Sequence, residues 1–284
     1  MPPFLAVATP SYAPDYERCK LLVESISRFS QTPVQHYIIV DQRDYSRFAT
    51  LANTTTQIIA AESLLPDWIR RLPLVRKAWF SLKTLPIRNW VLQQIVKLSF
   101  AASTPEPATV FVDSDVAFIR PFDLTQFSQQ NQTRLFRVPE YYTPDFEPLY
   151  AEAYRLLGLE GYRSGVAQPN YIGNLISWRQ DNVIALRNHL EQVWDRSWLE
   201  TLARAPTLSE YILYGVFVDQ VLGEAAGHFY DWSPLCHEYW QPQPLNDQEL
   251  DEFFTAVQPS HIAVMVSAKA QIAPSRYQHH LKQQ

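Results

Sequence analysis

The sequence predicts an α/β fold built on a mostly parallel sheet and carried by one domain. Short apolar runs end in turn or acidic residues, as buried strands do. A strongly amphipathic helix lies directly before one of those runs, the strand–helix–strand order of a parallel sheet. The composition, 46% hydrophobic and 13% aromatic over 284 residues, supplies a sizeable core and shows no linker-like shift that would separate two domains.

The elements follow in order. Phe4–Ala8 is a short apolar strand closed by the turn Thr9-Pro10-Ser11. Leu22, Ile26 and Phe29 stand at helical spacing, which predicts a helix over about 15–30 with Asp15 as its cap. His36–Val40 and Gln57–Ala60 are the next strands, the first ending at Asp41. The proline-interrupted, aromatic-rich stretch 64–89 is expected to form loop or short helix over the sheet. In Trp90–Ala102, Val91, Ile95, Leu98 and Ala102 form one apolar stripe, while Gln93 and Lys97 share another face. Pro105 and Pro107 stop that helix, and Thr109–Val112 is a strand running into Asp113-Ser114-Asp115. Further on, 134–138 and 171–177 are expected as strands, 146–158, 180–204 and 209–223 as helices, and His261–Val266 as a late strand. Residues 276–284 are expected to be a frayed tail.

Charge and glycine usage narrow the function. The net charge of −5 argues against nucleic acid, which needs a basic face. Only Cys19 and Cys236 are present, so a reducing compartment is expected. Without a basic leader or an apolar run long enough to span a bilayer, a cytoplasmic protein with no transmembrane segment is expected. All the glycines (158, 161, 165, 173, 215, 223 and 227) fall in the second half. Rossmann and P-loop sites bring glycine backbone up to phosphate after an early strand, so neither can be built here. An acidic, glycine-free half can still hold a diphosphate if a metal ion supplies the positive charge.

Asp113 and Asp115 are the residues suited to that task. Positions i and i+2 of an extended segment point the same way, so two carboxylates converge just past a buried strand. Like charges so placed repel unless a cation neutralises them, and carboxylate oxygens suit Mg²⁺ or Mn²⁺. The plainer alternative is that one aspartate caps a turn and the other is solvated.

The stretch Thr109-Val110-Phe111-Val112-Asp113-Ser114-Asp115-Val116 resembles the D-x-D segment of GT-A glycosyltransferases. The segments Trp90-Val91-Leu92-Gln93-Gln94-Ile95-Val96-Lys97-Leu98, Ser209-Glu210-Tyr211 and Tyr214-Gly215 resemble an uncharacterised bacterial group of GT-A-like proteins. The resemblance runs in order of elements over residues 4–269. It implies a three-layer α/β/α GT-A-like fold, with a nucleotide-binding half over 1–120 ending in the D-x-D and an acceptor-side half over 121–275. The implied activity is metal-dependent transfer of a sugar from a nucleotide-diphosphate donor to a hydroxyl of a glycan or another acceptor. The roles implied for Asp113 are ribose and metal, and for Asp115 direct metal ligation. Thr9, Asp41, Gln93 and Lys97 become candidates for donor contact, as do Asn170, Gly173 and Asn174 along the cleft.

The remaining candidates each keep a plainer reading. His261 resembles the late histidine ligand of several retaining GT-A enzymes, but the glycine and lysine that follow it there are missing or displaced, and a locally bonded histidine is the alternative. Glu210 stands where a carboxylate deprotonates the acceptor in inverting relatives; Thr207-Leu208-Ser209-Glu210 is also a capping-box pattern. Gly173 within Asn170-Tyr171-Ile172-Gly173-Asn174 marks either close backbone approach or a bulge. Lys97 is otherwise a solvated lysine, and Asp41 otherwise caps a helix near Asp44. Tyr141, Tyr142, Trp178, Trp194, Trp198, Trp232 and Trp240 are expected mostly in the core, with one or two free to stack on a sugar. The rival readings are a haloacid-dehalogenase-like phosphatase, which lacks a second acidic pair here, and a non-catalytic binder of nucleotide or glycan.

Overall fold

A computed structural model describes residues 5–71 and 78–281 of the chain. Strand β1 (Leu5–Pro10) begins inside the expected apolar run, whose Phe4 lies outside the described residues, and continues through Thr9. Helix α1 (Tyr16–Phe29), strand β2 (Val34–Val40), the single turn α2 (Tyr45–Phe48) and strand β3 (Thr56–Ala60) follow. The 64–89 stretch contains three short strands, β4 (Ile69–Arg70), β5 (Ala78–Ser81) and β6 (Ile87–Arg88), in an antiparallel array. Residues 72–77 of that expected loop lie outside the described residues. Alternation explains the array: Trp79 and Ser81 are buried while Phe80 and Leu82 are exposed, a period of two that proline-rich composition obscures.

Helix α3 (Asn89–Ser103) buries Val91, Ile95 and Leu98 of the expected stripe, with Ala102 half-buried, and leads into β7 (Ala108–Phe111), the D-x-D turn and β8 (Val116–Phe118). The second half contributes β9 (Ser128–Gln129), β10 (Gln132–Phe136), β11 (Val138–Tyr141), α4 (Glu147–Leu156), β12 (Gln168–Asn170) and β13 (Ile176–Arg179). The strand expected over 171–177 is therefore split. Residues 173–175 form a bend in which Leu175 takes φ 60°, a left-handed conformation that interrupts any extended run. The helix expected over 180–204 breaks into α5 (Gln180–Trp194) and α6 (Trp198–Ala203), because Asp195 is left-handed at φ 47°. Helix α7 (Glu210–Phe217) passes into a π-helical turn over Val218–Leu222. Strands β14 (His228–Asp231) and β15 (Cys236–Tyr239), helix α8 (Asp247–Thr255), strand β16 (Ala263–Val266) and helix α9 (Pro274–Leu281) complete the chain. The expected frayed tail is thus helical as far as Leu281, with 282–284 outside the described residues. Its Tyr277 and His280 are buried, and the His280 ring stacks on Phe254 at 4.7 Å.

The main sheet has the order β13-β7-β1-β2-β3, parallel except for β13, which runs antiparallel to β7. It is the mixed, mostly parallel sheet expected, with helices on both faces. Val7 and Val110 meet Leu22 and Ile26 of α1 on one face; Ala6, Ala8 and Phe111 meet Val91, Ile95 and Leu98 of α3 on the other. The chain leaves β1 toward β2 and β3, then returns through α3 to β7 on the opposite side of β1. The topological switch point, where open α/β sheets bind ligands, is the crevice past the carboxyl ends of β1 and β7. A smaller sheet, β15-β16-β8, continues from the D-x-D turn, with β16 antiparallel to β8.

Candidate functional site

A cleft of about 690 Å³ opens at that switch point, lined by Ser11 and Tyr12 after β1, Asp41 after β2 and Asp113–Asp115 after β7. The aspartates converge through a tight turn instead of an extended pair: the Val116 amide donates to the Asp113 carbonyl at 3.1 Å. Asp115 Oδ2 accepts the Ala268 amide at 2.8 Å, tying the D-x-D to the segment that follows β16. Burial first, then the charge of Asp113, pushes the Asp115 carboxyl up to about 6, and the Ala268 bond offsets only part of this. Asp15 joins them. It stands at the start of α1 but makes no side-chain cap, so the expected capping role is not realised. Its Oδ2 instead lies 3.4 Å from Ser114 Oγ, which donates to it, and burial, with a smaller contribution from Asp113, raises its pKa. Asp15, Asp113 and Asp115 thus line the same cleft, together with Lys269.

The inner wall is a buried charge pair. Lys97 Nζ donates to Glu210 Oε1 at 2.8 Å and to the Tyr211 hydroxyl at 3.0 Å, and all three side chains line the cleft. Burial, the largest single influence, opposes the ammonium, but Glu210, Tyr211 and Asp113 together outweigh it and the Lys97 pKa is raised. Lys97 is therefore not a solvated lysine. Glu210 does not complete a capping box either: Ser209 caps α7, accepting from the Ile212 amide, and the glutamate is spent on Lys97.

At the far end Asp41 pairs with Arg43 at 3.1 Å and Arg71 at 3.3 Å, so its carboxylate does not cap α2. Arg71 lies over the Trp79 ring and donates to Asn89 Oδ1 at 3.0 Å, giving a recess that is aromatic on one side and polar on the other. Gln93 is exposed to the cleft, and Gly173 lines it. At the opposite end Phe146, Leu149, Ile172 and Trp240 supply an apolar wall. Trp240 is 46% exposed, and its Nε1 donates to Glu238 Oε2 at 2.7 Å, fixing the ring.

Four sequence-derived candidates fall elsewhere. Because β1 extends to Pro10, Thr9 is fully buried within the sheet and its hydroxyl bonds His36 Nε2 at 2.9 Å. Asn170 Oδ1 accepts the Ile172 amide at 2.9 Å, an Asx turn that starts the bend. Asn174 is buried, and its Nδ2 donates to Glu238 Oε1 at 2.9 Å. His261 precedes β16, at the end away from Ala268, a span of roughly 20 Å for extended chain. Its Nδ1 accepts the Gln258 amide at 3.0 Å. It cannot join Asp115 in one coordination sphere. Asp15, Arg71, Trp79 and Lys269 are among the cleft residues whose place sequence reasoning missed, and Trp240 is the member of the expected aromatic set that lines the cleft. Of the four, Lys269 carried a signal, as a lysine displaced from its expected spacing.

Among the described residues no three His, Cys, Asp or Glu side chains form a metal cage. Asp113 and Asp115 offer carboxylate oxygens, the donor type that hard divalent ions take together with water or substrate oxygen. Among the described residues no helix is long and apolar enough to cross a membrane. Comparison of the sequence with known families matches residues 5–283 to a family of unknown function, DUF6492, and the chain belongs to it. No curated protein matches the chain.

Proposed function

We propose that this protein is a metal-dependent glycosyltransferase that moves a sugar from a nucleotide-diphosphate donor to a hydroxyl of a glycan or similar acceptor. The observation that carries this reading is the convergence of Asp113, Asp115 and Asp15 at the sheet's switch point, beside Lys269. The cleft, about 690 Å³, also falls in the range that holds small-molecule ligands. A bound Mg²⁺ or Mn²⁺ would neutralise the charge that develops on a departing diphosphate.

The chain's own residues divide the remaining work. Asp113 and Asp115 would hold the ion; burial, then the charge of Asp113, lifts the Asp115 carboxyl to about 6, and a cation would offset both. The recess of Asp41, Arg71 and Asn89 suits a ribose and the polar edge of a base, with the buried Trp79 ring backing the Arg71 guanidinium. Lys97 holds Glu210 as a fixed carboxylate at 2.8 Å. With Oε1 taken up by Lys97, Glu210 is better suited to orienting a sugar hydroxyl than to deprotonating an acceptor. Trp240 with Phe146 and Leu149 suits the C–H face of a sugar ring.

Metal-dependent release of nucleotide from a panel of nucleotide sugars tests this reading. Slow donor hydrolysis is expected with one nucleotide family in Mn²⁺, at least 10²-fold weaker in Asp115→Asn. Hydrolysis of a simple phosphomonoester instead, lost on replacing Asp113, would move the phosphatase reading ahead.

A further inference from the structure

The β4–β6 array carries a surface that the proposed chemistry does not use. Residues 68–90 contain six basic side chains (Arg70, Arg71, Arg76, Lys77, Lys83 and Arg88) and no acidic one, which leaves the rest of the chain at −11 against −5 for the whole. The array is two-sided. Ile69, Trp79, Ser81 and Ile87 point inward, and Ile69, Trp79 and Ile87 join the main core. Arg70 stands directly opposite Phe80 across β4 and β5, so these two and Leu82 share the outer face. Arg88 is exposed as well. Leu82 and Leu85, at the tip beside Lys83, are 68% and 85% exposed. Among the described residues no carboxylate lies within ion-pair distance of Arg70, Lys83 or Arg88.

We propose that this outer face docks on an anionic membrane surface, with Leu82, Leu85 and Phe80 entering the headgroup boundary and Arg70, Lys83 and Arg88 meeting lipid phosphates. Protruding leucines with interleaved cations are the pattern that interfacial segments use. A second copy of the chain fits poorly, because the same cations would face one another. The array also forms one wall of the cleft, since Trp79 on the inner side of β5 lines it. A docked molecule would therefore hold that wall against the headgroup layer. This inference does not rest on the glycosyltransferase reading.

Co-sedimentation with vesicles of phosphatidylcholine, alone or mixed with phosphatidylglycerol, tests it. The native protein is expected to sediment with the mixed vesicles only, and less as salt rises. Lys83→Gln should weaken partitioning about fivefold, the factor for one basic residue near a charged surface. A Leu82→Ser/Leu85→Ser double variant should weaken it at least about tenfold. Both variants change exposed side chains outside the cleft, so their melting temperatures should match the native protein's. Failure to sediment with phosphatidylglycerol vesicles, or sedimentation unchanged in both variants, would overturn the proposal. So would a native dimer that the leucine variant disperses without any vesicle binding, which would identify a second copy as the occupant.

Discussion

Replacing Lys97 with methionine removes the only cation that faces Glu210 at ion-pair distance among the described residues. The two side chains are 6% and 3% exposed and meet at 2.8 Å. At an effective dielectric near 20 their attraction is about 6 kcal/mol, but each ion gave up several kcal/mol of hydration to be there. The pair's net contribution to stability is therefore small, while the cost of breaking it from one side is large. Lys97→Met should lose about 3–5 kcal/mol, because a buried carboxylate is left with no cation. Lys97→Met/Glu210→Gln should recover most of that loss, since neither charge remains to be solvated. Urea unfolding followed by both tryptophan fluorescence and circular dichroism measures the cycle, and coincident transitions check that unfolding is two-state. A loss below about 1 kcal/mol in Lys97→Met, or a double variant that simply adds the two single losses, would refute the pairing.

Two further perturbations probe the scaffold. At Gly215 a Cβ would lie 2.3 Å from Cγ of the Tyr171 ring, and that ring is held by its hydroxyl donating to Asp219 at 2.6 Å. Gly215→Ala should therefore cost about 3 kcal/mol or more and lower the melting temperature, whereas a change below about 1 kcal/mol would mean the ring can move aside. His228 is bonded at both nitrogens, with Nδ1 donating to the Thr133 carbonyl and Nε2 accepting from Tyr214. Burial depresses its pKa from 6.5 to about 4. A depressed histidine contributes stability that is complete above pH 6.5 and is lost as pH falls toward 4, about 3 kcal/mol over that window. His228→Asn should flatten the pH-stability curve between 6.5 and 4, and an unchanged slope would assign the acid sensitivity to other groups.

The parallel strands and the helix before β7 were legible because their signals are local: apolar runs, a helical stripe, and acids at strand ends. Asp113 and Asp115 were legible for the same reason, although a turn, not an extended pair, brings them together. Tertiary context decided the rest. Lys97 and Glu210, 113 residues apart, each had a plausible surface role until the fold buried them against one another. Asp15 read as a helix cap because nothing local reveals that its carboxylate turns toward Ser114. His261 read as a ligand by its rank along the chain, but the antiparallel register of β16 against β8 brings Ala268 to Asp115. Period-two burial in β5 was hidden among prolines, so neither Trp79 nor the two-sided hairpin was foreseen.

Calorimetric titration of Mn²⁺ and a nucleoside diphosphate into the native protein and Asp115→Asn decides whether these carboxylates form a metal–diphosphate site. Mn²⁺ and the nucleotide are expected to bind the native protein with mutual enhancement. Asp115→Asn should lose that enhancement yet melt at a higher temperature without metal, because the cost of burying a carboxylate beside Asp113, which lifts this group to about 6, is gone. Metal-enhanced nucleotide binding that survives in Asp115→Asn, or no nucleotide binding by the native protein with Mn²⁺ present, would contradict it.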